Sequence, residues 1–247
     1  MTDHTRRLAP PKLIVALDTP TKREAIDVCE SLMPEVDFFK VGLSLFCAEG
    51  PGIIEAIKEL GALVFLDLKL HDIPEQVRQA ADIIGGYGVD MMTVHCLGGP
   101  AMLAAAKTGV EEGATRTGCA PPLVVGVTIL TSLDGPDLEG MGVNSRVAVE
   151  VGLLAGLAKD AGLSGVVASA RELPAIRAEF ADDFFVVTPG IRPAWSAGAS
   201  DQKRTLTPGE AVKSGASYLV VGRPITMAED PRKAALDVLE EFGGGAY

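Results

Sequence analysis

The feature that most constrains this chain is an eightfold rhythm. From Lys12 onward, short β-branched or aromatic runs alternate with stretches rich in Ala, Leu and Glu at helical spacing. The runs are Leu13–Leu17, Phe38–Val41, Leu63–Leu66, Met91–His95, Leu123–Val127, Gly165–Ala168, Phe184–Val187 and Tyr218–Val221. Helices are predicted over 22–32, 53–60, 75–87, 100–112, 143–160, 172–180, 208–214 and 231–241. The runs are continuously apolar, as strands of a parallel sheet are when helices cover it. Eight units in 247 residues leave about 31 residues each, the size of a compact βα repeat. The pattern predicts an α/β fold, a single-domain (β/α)8 TIM barrel. A doubly wound open sheet would carry a Gly-rich fingerprint after its first strand, where this chain has Asp18-Thr19-Pro20. No linker or shift in composition divides the sequence. Residues 1–11 are therefore read as a flexible N-terminal arm and 12–247 as the catalytic barrel.

Charge narrows the choice of partners. With 22 Lys and Arg against 33 Asp and Glu, the formal net charge is -11. That disfavours long-range attraction to nucleic acid or an anionic membrane, while a local basic pocket for a small anion stays open. The start has no apolar core of signal-peptide length, and no run is long enough to span a membrane. A soluble, cytoplasmic protein is expected. Four cysteines (Cys29, Cys47, Cys96 and Cys119) are widely spaced. Apolar surroundings mark the first three as reduced core thiols, and no metal site is expected.

In a barrel of this kind the C-terminal strand ends converge on the active site. Polar residues gather there: Asp18, Lys40, Asp67, Lys69, His95, Thr128, Thr131, Arg192 and Arg223. The densest stretch is Leu66-Asp67-Leu68-Lys69-Leu70-His71-Asp72-Ile73-Pro74. Alternation puts Asp67 and Lys69 on one face and the leucines on the other. With the leucines packed outward, the two charges enter the mouth, where each needs an opposite partner. The same alternation turns Lys40 inward beside Phe38. A charge network at the mouth is more than a stray structural ion pair.

Two further stretches form a candidate anion cradle, Thr188-Pro189-Gly190-Ile191-Arg192 and Val221-Gly222-Arg223-Pro224. Glycine allows close backbone approach, a new helix start offers N–H groups, and arginine supplies a two-pronged donor. Loops after the seventh and eighth strands are the usual phosphate site of this fold, so a phosphorylated small substrate is expected. His71 and His95 are read as orienting neighbours or lining the site, and Trp195 as a lid or simple cover. Asp134, Asp137 and Glu139 read as a solvated loop face.

These residues carry a family resemblance. Ala16-Leu17-Asp18, Phe39-Lys40-Val41-Gly42, Asp67 to Pro74, Val127 to Ser132, Thr188 to Arg192, Asp201-Gln202-Lys203-Arg204 and Val221 to Ile225 run in order through nearly the whole chain. In this the sequence resembles the bacterial orotidine 5'-phosphate decarboxylases, the last enzymes of UMP biosynthesis. The resemblance implies a cofactor-free lyase converting orotidine 5'-phosphate to UMP and carbon dioxide. Lys69 would deliver the proton to C6, with Lys40 and Asp67 polarising the charge array. Asp72 would be contributed across a homodimer interface to the other subunit's site. Asp18 and Lys40 would contact the ribose and Thr131 the pyrimidine edge. Arg192, Gly222, Arg223 and Gln202 would grip the phosphate, Gln202 reaching the base as well. Gln76 stands where the family usually has threonine, in a position that also reaches the neighbouring site. The alternatives are a metal-assisted sugar-phosphate decarboxylase or aldolase of the same barrel group, and a non-enzymatic phosphate-ligand barrel.

Overall fold

The computed structural model describes residues 9, 11–196 and 206–242. Its strands are β1 (Lys12–Leu17), β2 (Phe38–Gly42), β3 (Leu63–Leu70), β4 (Met91–His95), β5 (Leu123–Val127), β6 (Gly165–Val167), β7 (Phe185–Thr188) and β8 (Tyr218–Val221). Each pairs in parallel with the next, and β1 meets β8 with Val15 opposite Val221, closing the barrel. The predicted (β/α)8 barrel is present, and most strand ends fall within a residue of the sequence reading. β3 does not: it runs to Leu70, four residues beyond the expected end.

Period-2 alternation sorts the strand residues into two cores. Ile14, Phe38, Phe65, Met91, Val125 and Tyr218 fill the barrel interior. Phe38 and Phe185 approach Tyr218 edge-on, with ring centroids 6.2 and 5.6 Å away, the arrangement that aromatic quadrupoles favour. Alternate residues such as Val15, Phe39, Val64, Leu66 and Met92 join the layer between strands and helices.

The helix Lys22–Leu32 forms where predicted, its N-cap Thr21 hydroxyl accepting the Glu24 N–H. Two short helices, Leu43–Glu49 and Gly135–Gly140, lie where loops were expected. The second corrects the reading of Asp134 and Asp137 as a solvated face: they form a reciprocal capping box at that helix's start.

The helices Pro74–Gly86 and Gly99–Thr117, which follow β3 and β4, pack backbone to backbone. A Cβ at Gly113 would lie 1.8 Å from the Asp82 carbonyl oxygen, at Gly109 2.2 Å from that of Arg78, and at Gly85 2.4 Å from that of Val110. No side chain fits at these positions without separating the helices.

All four cysteines are free. Burial pushes the Cys29 and Cys96 thiols up to about 12, as core thiols require. Cys47, expected in the core, is exposed on the short helix Leu43–Glu49. Among the described residues no helix is long and apolar enough to cross a membrane.

Candidate active site

A cavity of about 290 Å³ opens at the C-terminal end of the barrel. Asp18, Lys40, Asp67, Lys69, Thr131, Arg192, Gly222 and Arg223 all contribute to its wall, so the structure gathers most of the site residues named from sequence. Three of the charged residues sit two positions beyond an interior apolar one: Lys40 beyond Phe38, Asp67 beyond Phe65, and Asp18, just past β1, beyond Ala16. The pleat that buries the first lifts the second into the mouth.

Asp67 is the hub. Its Oδ2 lies 2.8 Å from Lys69 Nζ and 3.7 Å from Lys40 Nζ, and Lys40 reaches Asp18 Oδ1 at 3.6 Å. The side chains of Asp67 and Lys40 are only 14% and 13% exposed. Removing Asp67 would take away the one carboxylate paired with Lys69 and leave Lys40 with Asp18 alone.

Regular pleating alone does not place Lys69. Phe65 and Leu66 pair with Met91 and Met92, but the next pairing joins Leu70 to Val94, so four residue steps on β3 stand against two on β4. The surplus bulges toward the mouth, a common means of re-aiming a side chain. Within it Lys69 has φ 54°, alone among the described non-glycine residues in being positive. Such a conformation costs roughly 1–3 kcal/mol and persists only where surrounding contacts impose it. Leu66, Leu68 and Leu70 still pack outward, as the alternation predicted.

Opposite the lysines lie the two Gly/Arg loops. Gly190 has φ 77°, a left-handed turn that glycine adopts without strain. It leads into Ile191, bridged to Leu206, and Arg192, whose N–H donates to the Leu206 carbonyl at 2.9 Å. At Gly222 a Cβ would press on Asp18 Oδ2 at 3.3 Å and on Ala16 at 3.4 Å. Thr131 joins the wall, while Thr128 is structural, its hydroxyl donating to the Val167 carbonyl at 2.9 Å. Trp195 lies half-exposed on a single 3-10 turn beside this loop.

Asp72 and Gln76 are not in the cavity wall. Both are exposed on the rim, and Asp72 Oδ1 accepts the Ile73 N–H at 2.6 Å. Gln202 lies outside the described residues, with Asp201, Lys203 and Arg204. His95 stacks on His71 with ring centroids 5.3 Å apart. Burial, then the neighbouring His71 and Lys69, hold its pKa below the ordinary histidine value.

Sequence reading passed over Thr93. It shares the inward face of β4 with Met91 and His95, and its side chain bonds both Asp67 and Lys69. The alternation that turned Asp67, Lys69 and Lys40 inward, carried back from His95 along β4, would have found it.

Fold and site together define a (β/α)8 barrel with an ion array facing an arginine-bearing cradle, the arrangement of an enzyme acting on small anionic molecules. The family can be stated more narrowly. The family model for orotidine 5'-phosphate decarboxylase / HUMPS matches residues 11–238, and the chain belongs to that family. It is 47% identical over 238 residues to an orotidine 5'-phosphate decarboxylase of Moorella thermoacetica, covering 96% of this chain and 94% of that one. It is 48% identical over 233 residues to that of Carboxydothermus hydrogenoformans, covering 94% and 96%. The crystal structure of the Lactobacillus acidophilus enzyme superposes with a TM-score of 0.82 at 38% identity, covering 94% of this chain and 99% of that one.

Proposed function

We propose that this chain is a cytoplasmic orotidine 5'-phosphate decarboxylase that releases carbon dioxide and forms UMP without a cofactor. The observation that carries the reading is the Lys40–Asp67–Lys69 array sharing one cavity with Arg192 and Arg223. The phosphate occupies the arginine side, and the pyrimidine lies over the lysines. As the C6–carboxylate bond breaks, its electron pair stays on C6 in the ring plane, where the π system cannot absorb it. The Lys69 ammonium, held by Asp67, stabilises that charge and delivers the proton that completes UMP. Grip on the remote phosphate organises the reacting end. Asp18 and Lys40 serve the ribose and Thr131 the pyrimidine edge; Gln202 joins the arginines. The test is loss of orotidine 5'-phosphate absorbance with purified protein and excess chelator. Turnover is expected to survive chelation; dependence on added metal would favour the metal-assisted alternative.

The working unit is proposed to be a homodimer in which Asp72 and Gln76 complete the partner subunit's site. Supporting this, both are exposed on the rim, outside their own cavity wall. Mixing inactive Lys69→Ala and Asp72→Ala proteins tests it, because a two-fold interface collects both lesions in one site of each heterodimer. Activity should recover toward a quarter of the wild-type level, the statistical limit for an equal mixture. Heterodimers without recovery would place Asp72 in its own subunit's site.

A further inference from the structure

Thr93 lies midway along β4 with no solvent exposure, and its hydroxyl serves two partners. The Lys69 backbone N–H donates to Oγ1 at 2.8 Å, and Oγ1 lies 3.0 Å from Asp67 Oδ1. The N–H occupies an acceptor lobe, and a carboxylate can only accept, so the single hydroxyl proton points to Asp67. The bulge is what requires this. Between Leu66 and Leu70 the regular ladder to β4 is interrupted, and a buried N–H without a partner is costly. Thr93 supplies the partner from its side chain. The result is a closed ring: the hydroxyl donates to Asp67 Oδ1, Lys69 Nζ donates to Asp67 Oδ2 at 2.8 Å, and the Lys69 backbone N–H donates to the hydroxyl.

We propose that Thr93 is a positioning residue for Lys69. Its hydroxyl holds the left-handed backbone of Lys69 and fixes the rotation of the Asp67 carboxylate, so that the ammonium stands in one place. It touches no reacting atom and acts through the two residues that do. The inference deepens the decarboxylase reading above and rests on Lys69 being the proton donor. Its structural half stands apart from that reading, since the ring exists whatever the substrate.

Thr93→Val keeps shape and β-branching but removes the hydroxyl; Thr93→Ser keeps the hydroxyl and removes the methyl. In Thr93→Val, kcat is expected to fall roughly 10- to 100-fold, the scale of a misplaced catalytic group. KM and the Kd for UMP should hardly change, because the cradle is untouched. Thr93→Ser should restore most of kcat. Should Thr93→Val not fold, Thr93→Ala set against Thr93→Ser gives the same comparison. A folded Thr93→Val with wild-type kcat overturns the proposal, as do Val and Ser variants equally impaired, since keeping the hydroxyl would then give no advantage over losing it. A crystal structure of the hydroxyl-free variant separates this from the functional reading. Lys69 should leave positive φ, or its Nζ should part from Asp67. If wild type turns over no orotidine 5'-phosphate but Lys69 moves as described, the decarboxylase reading falls and the positioning role stands. If Lys69 keeps both its backbone and its contact to Asp67, the positioning role falls whatever the substrate.

Discussion

The lower and upper halves of the barrel interior are built on the same strands and share almost no chemistry. Below, Phe38, Phe65, Met91 and Tyr218 fill the interior with apolar surface; two residues further along β2, β3 and β4 stand Lys40, Asp67 and Thr93. The lower layer needs only volume and shape. In the upper layer each group depends on a named polar partner: Asp67 and Thr93 within hydrogen-bond distance, Lys40 through ion pairs at 3.6 and 3.7 Å. Stability and activity are therefore separable along one strand, a few ångströms apart.

The sharpest way to break that division is Lys69→Ala. Turnover should fall on the order of 10⁴-fold, the upper range for loss of a general acid, while circular dichroism and thermal melting still report a folded barrel. Near-normal decarboxylation by folded Lys69→Ala would move the proton-donor role to Lys40. The lower half should give the opposite result. Phe38→Ala removes a fully buried ring and its edge contact to Tyr218, costing about 3–5 kcal/mol in denaturant unfolding. The part that remains folded should keep its kcat; a lost kcat at unchanged stability would erase the division.

Arg223→Ala tests the far wall of the mouth. Losing a charge-assisted contact of about 1.5–3 kcal/mol should lower kcat/KM for the phosphorylated substrate roughly 10- to 100-fold. An unchanged value would remove Arg223 from the cradle. The smallest effect concerns His95. Its folded pKa is depressed, chiefly by burial. Below the ordinary value of 6.5 the unfolded chain therefore binds the proton more readily than the folded one. Stability is full above that pH and declines as pH falls toward the folded pKa. His95→Gln should flatten the melting-temperature profile on the acid side of that value. An identical slope in both proteins would assign the acid sensitivity elsewhere.

The lower half was the more legible in sequence. Apolar runs such as Phe38–Val41 and Tyr218–Val221 declare themselves by composition, and alternation then gives the inward face. The charged mouth was readable as far as Asp67, Lys69 and Lys40, because charges at strand ends stand out against apolar runs. The bulge was not. Leu66-Asp67-Leu68-Lys69-Leu70 alternates perfectly on paper, and nothing in a lysine announces a left-handed backbone. That conformation depends on a hydroxyl from another strand, a tertiary contact with no local signature. The helix Leu43–Glu49 was missed for a related reason: at seven residues, without a side-chain cap, it carries too little periodicity to separate from a loop. The same shortness left the exposed side of Cys47 unreadable.

The touching backbones of the helices after β3 and β4 bear on how this sequence can vary. Outer helices of a barrel ordinarily accept substitution freely, since half of each faces water. Here Gly85, Gly109 and Gly113 sit where even one methyl group would strike a carbonyl oxygen. Glycine has no smaller replacement, so every coding change at these codons enlarges the side chain. A scan of all single substitutions should therefore show these three positions on the outer layer to be as unforgiving as the barrel interior, for a purely steric reason.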